Sequence, residues 1–266
     1  MNLKSTKKEI IILRHNGGQL GKQLLLYTSI YAYCLEKGYK CTNYSFYEYN
    51  KYFNFKTPNF WVRIFEKLSE IKFYRRRVIV YLIYKCTSYL LQTLKKGLVI
   101  KEDPADFIYL PPTPIINTKH QEIIKRIENP LDKLIYIDGW IFRNPMGLKK
   151  YHEQIIKIFK PKKEIIQRVN RFINQLKKDH FLVGVHIRQG EYKSKKFEGG
   201  RLYFNEKEVT AILRRYLRKE NKNPEKVLFI LCSDGSLDIS HFAGLKIQIG
   251  IGRMIEDLIT LSLCDT

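Results

Sequence analysis

The feature that most constrains this chain is a hydrophobic rhythm that switches from strand period to helix period and does so in two separate runs. Glu9–Arg14 holds four consecutive large aliphatics between charges, which reads as a buried strand. A glycine-rich turn at 15–22 follows, and then Leu20, Leu24, Tyr27, Tyr31 and Cys34 recur at helical spacing up to Gly38, a fitting helix C-cap. A second strand is expected over 40–46. Strand, turn, helix, strand is the opening of an α/β domain. The alternation restarts after Lys177-Lys178-Asp179. Strands are expected at Phe181–Ile187, at 227–232 and at 245–249, with helices at Glu206–Lys219 and 255–264. Between the runs, Leu134–Asp138 reads as a strand, 121–128 as a short helix and 107–110 as a short strand ended by prolines. A helix opens near Pro161 with Ile165, Ile166, Val169, Phe172, Ile173 and Leu176 on its apolar face. The aromatic-rich segment 59–98 has a helical pattern and reads as an insertion.

The reading is therefore α/β, with two Rossmann-like domains facing a cleft, one over 1–160 with the helical insertion and one over 161–266. The chain is long enough for both. Its longest apolar run, 78–84, falls far short of the roughly 18 residues that span a bilayer. No segment has the shape of a signal peptide, which points to the cytoplasm. Five scattered cysteines form no CxxC pair and no cluster with histidine, so neither a disulfide framework nor a zinc site is expected.

Forty-eight basic residues against 26 acidic ones give a formal charge of +22, which favours anionic partners. The charge is spread along the chain, no nucleic-acid-binding pattern accompanies it, and no specific nucleic-acid partner is expected. Arg75-Arg76-Arg77 ahead of the apolar run 78–84 reads first as a buried helix with a charged start, and second as a helix lying on anionic lipid.

Three constellations can carry chemistry. In the turn 17–23, Gly17, Gly18 and Gly21 let the backbone approach a ligand at a helix N-terminus. It is not a Walker A loop, because Gly17 stands one residue too close to Gly21-Lys22 and Gln23 replaces the hydroxyl residue. Read alone it is equally a tight strand-to-helix connection. The second runs from Val183 to Tyr192. There a hydrophobic strand ends in His186 and Arg188, which share a face by strand alternation, with Gly190 and Glu191 beyond. The carboxyl ends of strands are where α/β sheets bind ligands, and a guanidinium fork suits phosphate. The third is Ser233-Asp234, again after a strand. Glu256-Asp257, opening the last helix, is explained by the helix dipole.

The order GGxLGxQ, HIRxGxY, SD and EDLxxLSLCD resembles the α-1,2-fucosyltransferases, glycosyltransferase family 11, over most of the chain. The resemblance implies a GT-B-like fold, GDP-fucose as donor and an inverting transfer to a galactoside-type hydroxyl of an oligosaccharide or lipid-linked glycan. It places Arg188, with His186 beside it, on the donor diphosphate. It implicates Gly17, Gly18, Gly21, Lys22 and Gln23 in holding the same group, and points Ser233 and Asp234 at the nucleoside. Lys22 stands where the family has an amide, Glu191 where it has aspartate, and Gly235 where it has a second acid. The family continues past the last helix into a donor-contacting Ser/Thr-Phe-Ser stretch, so a C-terminal domain ending at Thr266 reads as incomplete. No Asp-x-Asp motif is present, and no metal or other cofactor is expected. Glu191 is the nominated base, with an acid of the N-terminal domain as alternative. The same fold would also serve another nucleotide-sugar transferase, or a non-catalytic protein binding glycans or nucleic acid. A peripheral contact with the inner face of the membrane fits a lipid-linked acceptor.

Overall fold

The computed structural model describes residues 8–14, 19–55, 67, 82–83, 85–87, 89–90, 93–94, 97–101, 118–129, 131–139, 142–193 and 203–266. The chain divides into two compact units, Met1–Lys160 and Pro161–Thr266. Gly17, Gly18, the Arg75–Arg77 triplet, the strand expected at 107–110 and most of the insertion 59–98 lie outside the described residues.

The first unit is built on a four-stranded parallel sheet: β1 (Glu9–Arg14), β2 (Lys40–Asn43), β3 (Leu98–Lys101) and β4 (Leu134–Asp138), in the order β2-β1-β4-β3. Both faces of a parallel sheet are covered, which is why β1 and β4 read as unbroken apolar runs. Ile10, Ile12, Ile135 and Ile137 pack with Leu26 and Ile30 of α1 (Leu20–Lys37) and Ile127 of α2 (Thr118–Glu128). Ile11, Leu13 and Tyr136 fill the opposite face. Gly38, at φ +67°, ends α1 in the left-handed conformation glycine adopts without strain.

β2 stops three residues short of the expected 46. The Asn43 side chain accepts hydrogen bonds from the Ser45 amide at 2.9 Å and the Ser45 hydroxyl at 2.7 Å, turning the chain out of the sheet. β3 was not expected. It is a four-residue run directly after Gly97 and merges in sequence with the helical pattern before it. Two short helices, α3 (Pro145–Lys150) and α4 (His152–Ile158), were also not anticipated; the second carries Ile155 and leads into Phe159, which packs edge-on to Tyr27 at 4.9 Å.

The second unit has a three-stranded parallel sheet, β5 (Phe181–Ile187), β6 (Val227–Ser233) and β7 (Ile247–Ile249), in that order. Alternation along β6 sorts its side chains cleanly. Val227, Phe229 and Leu231 pack on α6 (Glu206–Lys219), while Leu228, Ile230 and Cys232 face α5 (Lys163–Lys177) and α7 (Met254–Leu263). Gly184 lets α7 approach β5 closely: a β-carbon there would sit 3.0 Å from Leu261 Cδ2 and 3.2 Å from Cys264 Sγ. Among the described residues no helix is long and apolar enough to cross a membrane.

Candidate functional site

Register sets the three strands of the second unit to end on one edge. Ile187 lies beside Ser233, and Leu231 beside Ile249. The turns after β5, β6 and β7 therefore share the carboxyl edge, the ligand-binding side of such sheets.

Arg188 leaves the end of β5 half-buried, its side chain 26% exposed. Its guanidinium stacks on the Tyr192 ring at 4.4 Å, and its Nε is 3.8 Å from Asp234 Oδ2. The other oxygen of Asp234 accepts the backbone amides of Gln189 at 2.7 Å and Gly190 at 3.1 Å. The carboxylate at the end of β6 thus fixes the shape of the turn that carries Arg188. Gly190 is required by this approach rather than by backbone strain, because a β-carbon there would lie 2.7 Å from Asp234 Oδ2. Gly235 is under the same constraint from the other side, 3.0 Å from Gln189 Cβ. Gln189, itself buried, donates through its amide to Glu206 Oε1 at the start of α6, at 3.0 Å. That hydrogen bond, more than any other contact, holds the Glu206 carboxyl below its ordinary value. A guanidinium clasped between a carboxylate and an aromatic face, on a turn pinned at both amide and side chain, is preorganised for an anion.

His186 lies two residues earlier on β5, opposite Cys232 in register, and is exposed. Ser233 is spent locally, its hydroxyl accepting the Gly235 amide at 3.1 Å. Glu191 opens a short 3₁₀ turn, Glu191–Lys193; its side chain lies outside the described atoms.

The turn after β7 contributes two acids that sequence reading assigned to the helix dipole. Asp257 Oδ1 accepts the Gly252 amide at 3.0 Å, and Gly252 is held at φ +79°. Burial raises the Asp257 carboxyl above its ordinary value. Burial, with Asp257 close by, pushes the Cys232 thiol up to about 12. Glu256 is only 1% exposed and pairs with Arg168 of α5, whose Nε is 2.6 Å from Oε1; Arg253 Nη1 approaches the same oxygen at 3.5 Å. The glycines at 250 and 252 just before the acidic pair were the available signal. A β-carbon at 250 would stand 2.6 Å from Cys232 Sγ.

The described part of the N-terminal glycine turn belongs to the first unit. Gly21 is the second residue of α1, and a β-carbon there would meet nothing within 4 Å. Lys22 is exposed, and Gln23 Oε1 is buried without a hydrogen-bond partner among the described residues. Gln19, the N-cap, makes no side-chain capping hydrogen bond, and no acid stands in the first turn of the helix. Among the described residues no group of three or more potential metal ligands converges.

No protein-family model matches the chain, and no curated protein sequence does. Solved structures do. The NodZ alpha-1,6-fucosyltransferase co-crystallized with GDP superimposes with a TM-score of 0.52 at 14% identity, over 97% of this chain and 82% of that one. The same enzyme soaked with GDP-fucose gives 0.50 at 16% identity, over 96% and 82%. The fucosyltransferase NodZ from Bradyrhizobium gives 0.50 at 15%, over 97% and 83%. Similarity at this level establishes architecture, and the chain has the GT-B-like α/β fold of these fucosyltransferases.

Proposed function

We propose that this protein is an inverting glycosyltransferase that moves L-fucose from GDP-fucose to a hydroxyl of a galactoside-type glycan, forming an α-1,2 linkage. The observation that carries the reading is Arg188, preorganised by Asp234 and Tyr192 at the carboxyl edge of a parallel sheet. The fold shared with NodZ enzymes crystallised with GDP and GDP-fucose supports it. In the reaction the acceptor oxygen attacks the anomeric carbon, and the bond to the β-phosphate oxygen breaks with its electron pair. The acceptor proton passes to a carboxylate, for which Glu191 is the nominee. Negative charge grows on the departing diphosphate, and Arg188 answers it, with His186 alongside. The resemblance to the α-1,2-fucosyltransferases nominates Gly17, Gly18, Gly21, Lys22 and Gln23 for the donor as well. Ser233 and Asp234 line the nucleoside side, and Asp234 acts chiefly by positioning Arg188. No metal is assigned a step, since the cations named supply the charge.

Replacing Arg188 by alanine is expected to lower kcat at least about 10²-fold with an unchanged melting temperature; near-normal turnover refutes the assignment. Lysine should not restore activity, because it lacks the planar fork. Thermal stabilisation by GDP, and not by UDP or CDP, separates this donor from that of another nucleotide-sugar transferase.

The acceptor in this reading is lipid-linked, met at the inner face of the membrane. Support comes from the exposed apolar side chains of Leu82, Tyr89, Leu90 and Leu94, within a segment, 71–100, that carries no acidic residue. Co-sedimentation with phosphatidylglycerol vesicles but not with phosphatidylcholine ones is the expected result.

A further inference from the structure

The five cysteines show no pairing pattern in the sequence and all carry free thiols, yet two of them meet in the fold. Cys34 stands in the last turn of α1, and Cys41 is the second residue of β2. Gly38, at φ +67°, turns the chain between them, and the Tyr39 amide donates to the Cys34 carbonyl at 2.9 Å. The strand that begins at Lys40 therefore starts directly beside the helix end. Cys41 pairs in register with Ile10 of β1, and its side chain packs into the same core as Cys34, Ile10, Ile12 and Ile30.

The approach is close. Cys34 Sγ donates to the Lys40 carbonyl at 3.6 Å, which brings the sulfur to the residue just before Cys41. The Cys41 thiol hydrogen-bonds with Cys34, and this contact, followed by burial, raises it well above its ordinary value. The cysteines of the second unit are spent differently. Cys232 is hydrogen-bonded to Asp257, and Cys264 donates to the Thr260 carbonyl at 3.3 Å. Cys34 is only 2% exposed, whereas Cys41, on the edge strand of the sheet, is the nearer to solvent. A pair covered in this way excludes a bulky disulfide oxidant and admits a small one, a hydroperoxide.

We propose that Cys34 and Cys41 are a reversible oxidative modification site, closing into a disulfide that ties the end of α1 to β2. The Cys41 sulfur attacks one oxygen of hydrogen peroxide, the O–O bond breaks, and the thiol proton leaves with the departing hydroxide as water. Cys34 then attacks the sulfenic sulfur. The S–S bond forms as the S–O bond breaks, and the leaving hydroxide takes the Cys34 proton as a second water. Both sulfurs are oxidised, the peroxide is reduced, and a dithiol reverses the change. The link lies where β2 begins, at the end of the sheet opposite its carboxyl edge, so it braces the unit without reaching the ligand-binding side. The site holds whatever reaction the protein catalyses.

The test uses the full chain, purified with its thiols reduced and exposed under native conditions to hydrogen peroxide. Remaining thiols are alkylated, and the peptides are mapped by mass spectrometry. A link between Cys34 and Cys41, with loss of two hydrogens, is expected as the main product, and dithiothreitol should reverse it. The melting temperature is expected to rise by about 5 °C on oxidation and to return on reduction, a shift absent from Cys34→Ala and Cys41→Ala. Peroxide that leaves both thiols free, drives Cys41 on to sulfinic acid with Cys34 still reduced, or links either one to another cysteine overturns the proposal. So does the same shift in Cys41→Ala. The peptide map of the wild type needs no variant, so a substitution that misfolds does not spoil it.

Discussion

At the scale of single residues, the glycines separate into those that make room for the protein and those that do not. A methyl group at 190 would crowd the Asp234 carboxylate, with Oδ2 only 2.7 Å away. Gly190→Ala is therefore expected to displace Asp234 from the Gln189 and Gly190 amides and to cost turnover as heavily as loss of Arg188 itself, measured by kcat in the purified variant. Gly21 has open space around it and lies in a helix. Gly21→Ala should leave stability unchanged or raise it by about 0.5–1 kcal/mol, since alanine loses less backbone entropy on folding. Any accompanying loss of GDP stabilisation then reports ligand contact, because no packing defect accompanies it. Glu206→Ala removes the partner of Gln189 and frees one end of the Arg188 turn. The expected signature is a kcat fall of about tenfold with donor KM nearly unchanged, whereas a purely structural residue would shift the melting temperature and leave kcat per folded molecule intact.

At the scale of elements, α5 and α7 are joined by an ion pair between the buried Glu256 and the partly exposed Arg168. Glu256 has almost no access to water and takes its charge balance from Arg168. Arg168→Ala should destabilise the protein by about 1–2 kcal/mol, less than for a fully stranded buried charge because Arg253 still stands 3.5 Å from Glu256, as read by urea denaturation. The paired change Arg168→Met with Glu256→Leu should recover most of it.

Which elements were legible follows from the same physics. Glu9–Arg14, Leu134–Asp138, Phe181–Ile187 and Glu206–Lys219 stand where the sequence puts them, since each carries an unbroken apolar run or a clear helical stripe between charges. Short elements escaped. Leu98–Lys101 is too brief to show a period, and α3 and α4 leave Met146 and Ile156 exposed, blurring any stripe. At the site, Arg188 was legible because its residue type and strand-end position are local facts. The grip of Asp234 on the turn 45 residues earlier was not, for it exists only once β5 and β6 pair. The tertiary duties of Glu256 and Asp257 were hidden likewise, since two acids in a first helical turn already have a sufficient local explanation.

At the scale of the whole molecule, stability depends on carboxylates in both units. Glu128 is held below its ordinary value first by Lys37, Glu206 by Gln189 and Asp265 by Lys177. Each binds its proton more weakly folded than unfolded, so the stability it contributes is present above about pH 4 and is lost as pH falls through the lowered folded values. Asp257, raised by burial, works in the opposite sense and favours the folded state only while protonated. Asp238, lowered first by the Ser240 hydroxyl, joins the three lowered groups. With four groups against one, the melting temperature should decline below about pH 4; a melting temperature that rises on acidification would contradict this balance.

The two turns that meet around Gly190 and Gly235 leave no room for a methyl group at 190 without moving Asp234, and little at 235. Neither loop therefore has a shape of its own, and an insertion, deletion or bulky replacement in one must be answered in the other. Transplanting the arginine-bearing loop into a foreign scaffold would deliver the right residue in the wrong posture unless the acid-bearing loop travelled with it. In any lineage or laboratory selection that remodels this corner, the two segments should be inherited as a single cassette.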